Sequence, residues 1–479
     1  MKHSVALNKR NAPGAVARMS QLLSDAMAGA GQSQQRARVD KYASTSHRLL
    51  KDLKLVQQTG PGLFTQSALL TRSMRKLRAL IADRMRSRQL AAMEITCSAV
   101  ASDALWQRCD RWQSMAAVLF RLTDRSGQRF CLQPTHEEAV SSFVGSFAPL
   151  AHHQLPLRLF QITNKYRDEI DAKNGLLRAK EFLMKDLYSF DLDDEKAQHT
   201  YDLVSRVYAK IIADDLELPF YRVHATSGQM GGDMSHEFHV ENRAGQDRIW
   251  VCAQRHCDPN GINDELWHRA GQGEPGSAAT SNPSHHCPRC PSCARPMLRQ
   301  LRSFEVAHTF LLGSKYSQAF GAVTADSANA RRLEPLQMGC YGVGVTRLLA
   351  AALDALSPHD RLIWPSRIAP ALICVIPPKS GSRQEALAGP MAFELANALQ
   401  QLTGDVIVDD RTQTTIGRRV VALRTLGIPY LVVVAKGALE TVPTFELICT
   451  RQPEKQQPQM LTHAQLFDRV RQLASQRTF

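Results

Sequence analysis

Apolar residues recur along this chain with two different periods, and the periods place its first elements. Between Ala68 and Leu90 the residues Leu70, Met74, Leu77, Ile81 and Met85 stand three or four apart, with Arg and Lys between them. That spacing gathers them on one face of a helix. Met93 to Val100 follows as a β-like run. Leu155–Glu169 and Lys180–Asp191 read as two strands joined by a polar loop that contains Asn174-Gly175, a turn signal. Glu195–Leu216 is a helix candidate, and Met338–Leu356 reads as a short strand turning into an Ala/Leu-rich helix. The stretch from Asp258 to Pro296, rich in Gly, Ser, Pro, His and Cys, predicts a loop or a small module.

After Pro365 the pattern changes. Apolar strands (Ala371–Ile376, Val406–Val408, Tyr430–Val434, Phe445–Cys449) alternate with helices (Gln384–Leu402, Gly417–Leu426, His463–Ala474). The alternation predicts a separate α/β domain of about a hundred residues.

Composition narrows the class. A chain of 479 residues holds two or three domains. It has no apolar run near the ~20 residues of a membrane-spanning helix. Its 59 Lys and Arg against 45 Asp and Glu give a net charge of +14. Such an excess suits a polyanionic partner through release of phosphate counterions; a basic targeting segment is the other source of it. The first sixty residues carry ten Lys or Arg and three Asp or Glu, with no acid before Asp25. Met1 to Ser24 mixes Arg, Lys, Ala and Ser without an apolar core, which fits an organelle transit peptide better than a secretory signal. A plain disordered tail is the alternative, and Met19 offers an internal start. Six of eleven cysteines are dispersed, while Cys252, Cys257, Cys287, Cys290 and Cys293 lie in one stretch. That usage indicates a reducing compartment, and the stretch is either a tetrahedral metal site or a degenerate relic of one.

Three distant segments bring arginines and acids beside strand or glycine geometry. In Lys165-Tyr166-Arg167-Asp168-Glu169, a strand would project Arg167 and Glu169 to one face, where they could simply pair. Arg178, Lys180 and Lys185 follow. In Gly339-Cys340-Tyr341-Gly342-Val343-Gly344-Val345-Thr346-Arg347 the glycines allow close backbone approach to a ligand, and Arg347 opens the next helix. This is not a dinucleotide fingerprint, because the spacing and the βαβ context are both missing. Gln133-Pro134-Thr135-His136-Glu137-Glu138 is a turn presenting a hydroxyl and two carboxylates, and read alone is an acidic helix start.

Taken in order, these segments resemble class II aminoacyl-tRNA synthetases. The strand pair around Arg167 and Glu169 looks like motif 2, the turn ending at Arg347 like motif 3, and the helix from Ala68 sits where motif 1 belongs. More closely, Pro134-Thr135-His136-Glu137-Glu138, Arg167-Asp168-Glu169-Ile170 and Glu181-Phe182-Leu183-Met184-Lys185-Asp186 are similar to prolyl-tRNA synthetases of the bacterial type. So are Met230-Gly231-Gly232 with Ser235-His236-Glu237-Phe238, Glu305-Val306-Ala307-His308 with Leu312-Gly313-Ser314-Lys315-Tyr316-Ser317, and Gly339-Cys340-Tyr341-Gly342. Asp409-Asp410-Arg411, Gly417-Arg418-Arg419 and Leu426-Gly427-Ile428-Pro429 resemble the class IIa anticodon-binding domain. The resemblance spans roughly Gly62 to Gly437. Two features depart from the bacterial pattern. The motif 1 proline is replaced near Cys97-Ser98, and between Trp250 and Glu305 there is no room for an inserted editing domain, as in mitochondrial members.

The resemblance implies an α+β fold: a class II catalytic domain, an antiparallel sheet flanked by helices, followed by the α/β anticodon-binding domain. Expected boundaries are a transit or disordered segment over 1–45, the catalytic domain over 46–362 with a short connection over 252–303, and the anticodon-binding domain over 366–479. It implies ligation of L-proline to tRNA(Pro) with ATP and Mg2+, by a homodimer of the mitochondrial matrix with no membrane association. Arg167 and Arg347 would be catalytic. Arg167, Glu169, Arg178, Phe182, Gly344 and Arg347 would hold ATP; Thr135, Glu137, Arg167, Met184, His308 and Cys340 would hold proline. Arg411, Arg418 and Arg419 would meet tRNA, since guanidiniums stack on splayed bases and hold phosphates. No resident metal is assigned among the site residues. The competing readings are a class IIa synthetase for another amino acid and a non-catalytic, RNA-binding accessory protein.

Overall fold

Ser67 accepts a hydrogen bond from the amide of Leu70 and so caps a helix over Ala68–Arg86. Leu70, Met74, Leu77, Ile81 and Met85 are all buried along it, each worth ~1.5–3 kcal/mol of removed apolar surface. The structure is a computed structural model. It describes residues 16–22, 44–172, 174–254, 257–271, 289–290, 292–295, 299–325, 332–451 and 457–475.

The helix packs on a nine-stranded sheet. In chain order its strands are β1 (Met93–Glu94), β2 (Leu157–Tyr166), β3 (Glu181–Asp191), β4 (Tyr221–His224), β5 (Met234–Glu241), β6 (Asp247–Val251), β7 (Gly261–Asn263), β8 (Arg299–Gly313) and β9 (Gln337–Gly344). Across the sheet they run β5-β4-β7-β6-β8-β9-β3-β2-β1, and β5 also pairs with β8. The central pairs are antiparallel: Tyr166 faces Glu181, Met184 faces Gly344, and His308 faces Gly342. Helices Asp194–Lys210 and Val345–Leu356 bury Tyr201, Val204, Tyr208, Leu348, Leu349 and Leu353 against the core.

Several sequence expectations need correcting. Met93 to Val100 is not one strand. Only Met93–Glu94 pairs with β2, and Val100–Ser102 belongs to a separate three-stranded sheet with Phe120–Thr123 and Arg129–Leu132. Between them Cys97 donates its amide to the Gln161 side chain, so the chain crosses from one sheet to the other. The helix expected through Leu216 is α-helical only to Lys210 and ends in a π turn over Ile211–Asp215. Within 258–296 the described part contains β7 and a helix, Asp264–Gly271.

The C-terminal domain has strands β10 (Ile373–Ile376), β11 (Val406–Val408), β12 (Tyr430–Val433), β13 (Thr444–Cys449) and β14 (Gln459–Thr462). They lie in the order β11-β10-β12-β13-β14, parallel from β11 to β12 and antiparallel beyond. A short strand, Ala17–Arg18, adds in parallel to the outer edge of β11. Met19 is fully buried beside it, and Ser20 donates its amide (2.8 Å) and hydroxyl (2.5 Å) to Asp410. Residues 16–22 of the expected leader are therefore packed rather than free; 1–15 and 23–43 lie outside the described residues.

Charge fixes the two domains to each other. Lys76 donates to both oxygens of Asp405 (2.7 and 2.6 Å) and to the Ala369 carbonyl (2.5 Å). Asp215, fully buried, receives both Arg84 Nε and Nη2 at 2.7 Å and Arg367 Nη1 at 2.5 Å. Removing the carboxylate leaves two arginines facing each other without it. Because both keep part of their hydration, Asp215→Ala is expected to cost about 2–3 kcal/mol, below the usual figure for a fully buried pair. A shift of the urea midpoint corresponding to less than half of that would place the junction's strength elsewhere.

Candidate active site

A cleft of about 360 Å³ opens where the end of β2, the start of β3, β8 and β9 converge. Arg167, Glu169, Phe182, Met184, His308, Cys340, Gly344, Arg347 and Thr135 all line it. Residues scattered over two hundred positions thus meet, because antiparallel pairing aligns β3, β9 and β8. An adjoining pocket of about 190 Å³ is lined by Arg167, Glu169, Arg178, Gln246, Asp247, Glu305 and Arg347.

β2 ends at Tyr166, so the period-two argument for Arg167 and Glu169 does not hold. Both lie in the loop beyond the strand, where Arg167 donates its amide to Lys180 and stands 5.2 Å over the Phe182 ring. Glu169 pairs with Arg178, whose Nε and Nη2 lie 2.9 and 2.7 Å from one carboxylate oxygen, and Arg178 also reaches Gln246 at 2.9 Å. Burial, then the charge of Arg347, pushes the Arg167 pKa below its ordinary value. Arg347 is held by backbone carbonyls, Leu177 at 2.8 Å and Glu305 at 3.0 Å. Two mutually repelling guanidiniums fixed on one cleft suit an anionic ligand.

At the other end, sequence reasoning missed the organising residue. Arg111, 1% exposed, donates one nitrogen to both Glu137 (2.9 Å) and Glu138 (2.8 Å). The acids open the helix Glu137–Gly145 but cap nothing; the side chain of His136 at its N-cap makes no capping bond and instead lies 3.0 Å, through Nε2, from the Ser98 carbonyl. Thr135 and Cys340 donate to Glu137 at 2.7 and 3.1 Å. Glu137 is fully buried and lies beneath the cleft, behind these two lining residues, and does not line it directly. Burial works to raise the Glu137 pKa, but Arg111 and the hydrogen bonds from Thr135, Arg111 and Cys340 outweigh it and hold the carboxyl below its ordinary value. For Glu138 burial wins, with Glu137 repelling, and its pKa is raised. Burial and Glu137 push the Cys340 thiol well up, so it stays a neutral donor.

His308 is clamped from both sides, its Nδ1 3.0 Å from Glu305 and its Nε2 2.6 Å from the Ser235 hydroxyl, and it stacks on Phe310 at 3.8 Å. A Cβ on Gly342 would meet the Met184 methyl at 2.6 Å and force it into the cleft. Gly232, at φ 89°, would set a Cβ 1.9 Å from the Leu311 carbonyl oxygen, so only glycine fits that turn.

In the C-terminal domain two of three expected contact residues are corrected. Arg411 is buried and spans Asp409 with bonds of 2.8 and 2.7 Å. Arg419 is 1% exposed and donates to the carbonyls of Asp409 (2.9 Å) and Pro377 (2.6 Å). Both guanidiniums tie the loop together and present no face to a base. Arg418 alone of the three is exposed, in the first turn of the helix Ile416–Leu426.

Residues 120–356 match the class II tRNA synthetase core domain (G, H, P, S and T), and 372–473 match the anticodon binding domain. A probable mitochondrial proline–tRNA ligase of Homo sapiens is 38% identical over 86% of this chain and 82% of that protein. The chain belongs to the proline–tRNA ligase family. Another member, a probable mitochondrial proline–tRNA ligase of Schizosaccharomyces pombe, is 35% identical over 81% of this chain and 85% of its own. The fold matches a Giardia lamblia prolyl-tRNA synthetase in complex with prolyl-adenylate, with a TM-score of 0.69 at 16% identity, over 91% of this chain and 82% of that one. The class II core and the C-terminal anticodon-binding domain expected from the motifs are therefore both present.

The cleft electrostatics give a pH signature. Burial opposes ionisation of Glu305, yet His308, then Arg347 and His239, hold its pKa down to about 2 against an ordinary 4.5. A carboxylate with a depressed folded pKa contributes stability fully above its unfolded value and loses it as pH falls toward the folded one. The stability difference between wild type and Glu305→Gln is therefore expected to be constant above about pH 5 and to shrink from 4.5 toward 2. Urea unfolding across that range checks it, and a difference independent of pH would contradict the pairing.

Proposed function

We propose that the chain ligates L-proline to tRNA(Pro) in the mitochondrion, through a prolyl-adenylate. The observation that carries this is one cleft with Arg167 and Arg347 at one end and Thr135 over the buried, ionised Glu137 at the other. The relatives named mitochondrial proline–tRNA ligases, and the Giardia structure's prolyl-adenylate, support substrate and compartment.

Arg167, at the cationic end, pairs its planar fork with the proline carboxylate and the α-phosphate. A carboxylate oxygen attacks the α-phosphorus, the bond to the β-phosphate oxygen breaks, and pyrophosphate leaves. A terminal ribose hydroxyl of tRNA then attacks the prolyl carbonyl, and AMP departs. The chain's part is alignment and neutralisation of charge. Arg347 stacks on adenine and reaches the γ-phosphate. Glu169, held by Arg178, accepts from the adenine amino group, with Phe182 and Gly344 forming the adjoining wall. Thr135 meets the cationic imino group while Glu137 beneath it supplies the opposite charge. Met184, His308 and Cys340 bound the ring.

Asp247 and Glu305 line the pocket beside Arg347 with hard oxygen donors, and burial followed by the Glu305 charge raises the Asp247 pKa. Such a pair fits Mg2+, which would be held by these two residues and neutralise phosphate charge. The motif 1 likeness supports a homodimer. Arg418 is the basic contact offered to tRNA.

Pyrophosphate exchange with a panel of amino acids tests the reading, and it should be dependent on proline. Arg167→Ala and Arg347→Ala are each expected to reduce exchange at least 100-fold, about 3 kcal/mol of lost transition-state stabilisation. Near-normal exchange in either variant would displace the site. Arg418→Glu should weaken tRNA charging and spare exchange. Arg419→Ala should instead lower stability and damage both reactions; equal damage from Arg418→Glu would remove its contact role.

A further inference from the structure

The cysteine stretch is unused by the adenylate site, and its geometry is informative. The Sγ atoms of Cys252, Cys257, Cys290 and Cys293 all lie within 4.8 Å of one another. Cys252 and Cys293 are 3.6 Å apart, and Cys252 and Cys257 are 3.8 Å apart. A disulfide would need ~2.05 Å. A zinc ion bound by four thiolates at ~2.3 Å holds its sulfurs ~3.8 Å apart, the spacing seen here. A cluster of several irons would spread the sulfurs further. Cys287 lies outside the described residues.

The backbone is folded to suit such a centre. Cys252 follows directly on β6 and donates its amide to Asn260 at 2.9 Å, and the Gln254 amide points at the Cys252 sulfur at 3.4 Å. Cys290 and Cys293 sit on a tight turn closed by Ala294 to Cys290 (2.9 Å) and Cys290 to Arg295 (2.7 Å), with Ala294 at φ 56°. Trp250 and Trp267 stack beside the sulfurs at 3.6 Å, and with Ile262 and Leu266 make up a very small apolar cluster. A cluster this size does not order a segment without a staple.

We propose that Cys252, Cys257, Cys290 and Cys293 hold one zinc ion in a closed tetrathiolate site that clasps the start and end of the 252–295 connection together beside β6 and β7 of the catalytic sheet. Four protein ligands leave no open position, so the ion is structural. The thiols give up their protons on binding. The clasped half of the sheet carries β7, where Asn263 donates to Glu237 at 3.2 Å, and Glu237 stands 3.9 Å from His308.

The chain is purified without chelator from zinc-supplemented cells and its metals are measured. About one zinc per chain is expected, with iron absent. Chelator-treated protein loaded with cobalt(II) should show the thiolate charge-transfer band and the strong visible bands of a tetrahedral site. Cys293→Ser, at the exposed ligand, and Cys257→Ser should each lose most of the zinc. Should either fail to fold, thiol titration of the intact native chain decides, since the four sulfurs gain reactivity only on chelation. Zinc absent from the wild type, stoichiometric iron in its place, full zinc retained by both variants, or thiol reactivity unchanged by chelation would each overturn the proposal.

Discussion

The cleft depends on one buried arrangement of charge, a guanidinium shared between two carboxylates. Arg111, Glu137 and Glu138 are at most 1% exposed. A charge so desolvated is tolerated only when paired and hydrogen-bonded. Two acids against one base leave an excess of negative charge, which the structure places unequally: Glu137, with donors from Thr135 and Cys340, is the better ionised, and Glu138 the more readily protonated. That inequality puts a stable anion just below the floor of the cleft and turns the hydrogens of a hydroxyl and a thiol toward it, which leaves their lone pairs for a ligand. Each end of the cleft is thus set by fixed charge, cationic at Arg167 and Arg347 and anionic behind Thr135. An amphoteric ligand can be oriented between such ends without rearrangement of the protein.

Much of the scaffold was legible because its signals are local. The 3.6-residue stripe from Leu70 to Met85, the continuous apolar strand Val406–Val408 and the capped helix after Thr415 all formed where periodicity placed them. The chemistry residues of motifs 2 and 3 were named from sequence because a rare ordered set of motifs carried them. Five strands of the catalytic sheet's outer half, β4 to β8, were not read. β4 and β7 are only four and three residues long, too short for a period to show. β8 is long, but it pairs with β6 at its start and with β5 beyond, and gains β9 on its other side only from Ala307, so its surroundings change along its length and its alternation is irregular.

What sequence could not show was which charges are already spent. Arg111 stands in an unremarkable run and has its carboxylates 26 and 27 residues away. Arg411, Arg418 and Arg419 look alike on paper. Two of them turn inward because Asp409 and the carbonyls around Pro377 need donors in a buried loop. Part of the basic excess that suggests an RNA partner is therefore internal cement, and the net charge overstates the surface offered to phosphate.

The outer half of the sheet is where the connection between β6 and β8 matters. Where the chain passes from β6 to β8 it leaves the sheet and returns to it, since Trp250 pairs directly with Gln300. Such an excursion costs little closure entropy, because its ends are neighbours already. Such a connection tolerates changes in length, provided that it does not fray into the strand beside it. β7 is the vulnerable element: three residues held between β4 and β6, with Asn263 bonded to Glu237. Glu237 in turn contacts His239 at 2.8 Å and borders His308 on the cleft. Fraying of β7 would thus be felt at the histidine. Closing the excursion a few residues from the strand ends, as the gathered cysteines do, shortens the free loop next to β7 and confines its motion away from the catalytic cleft.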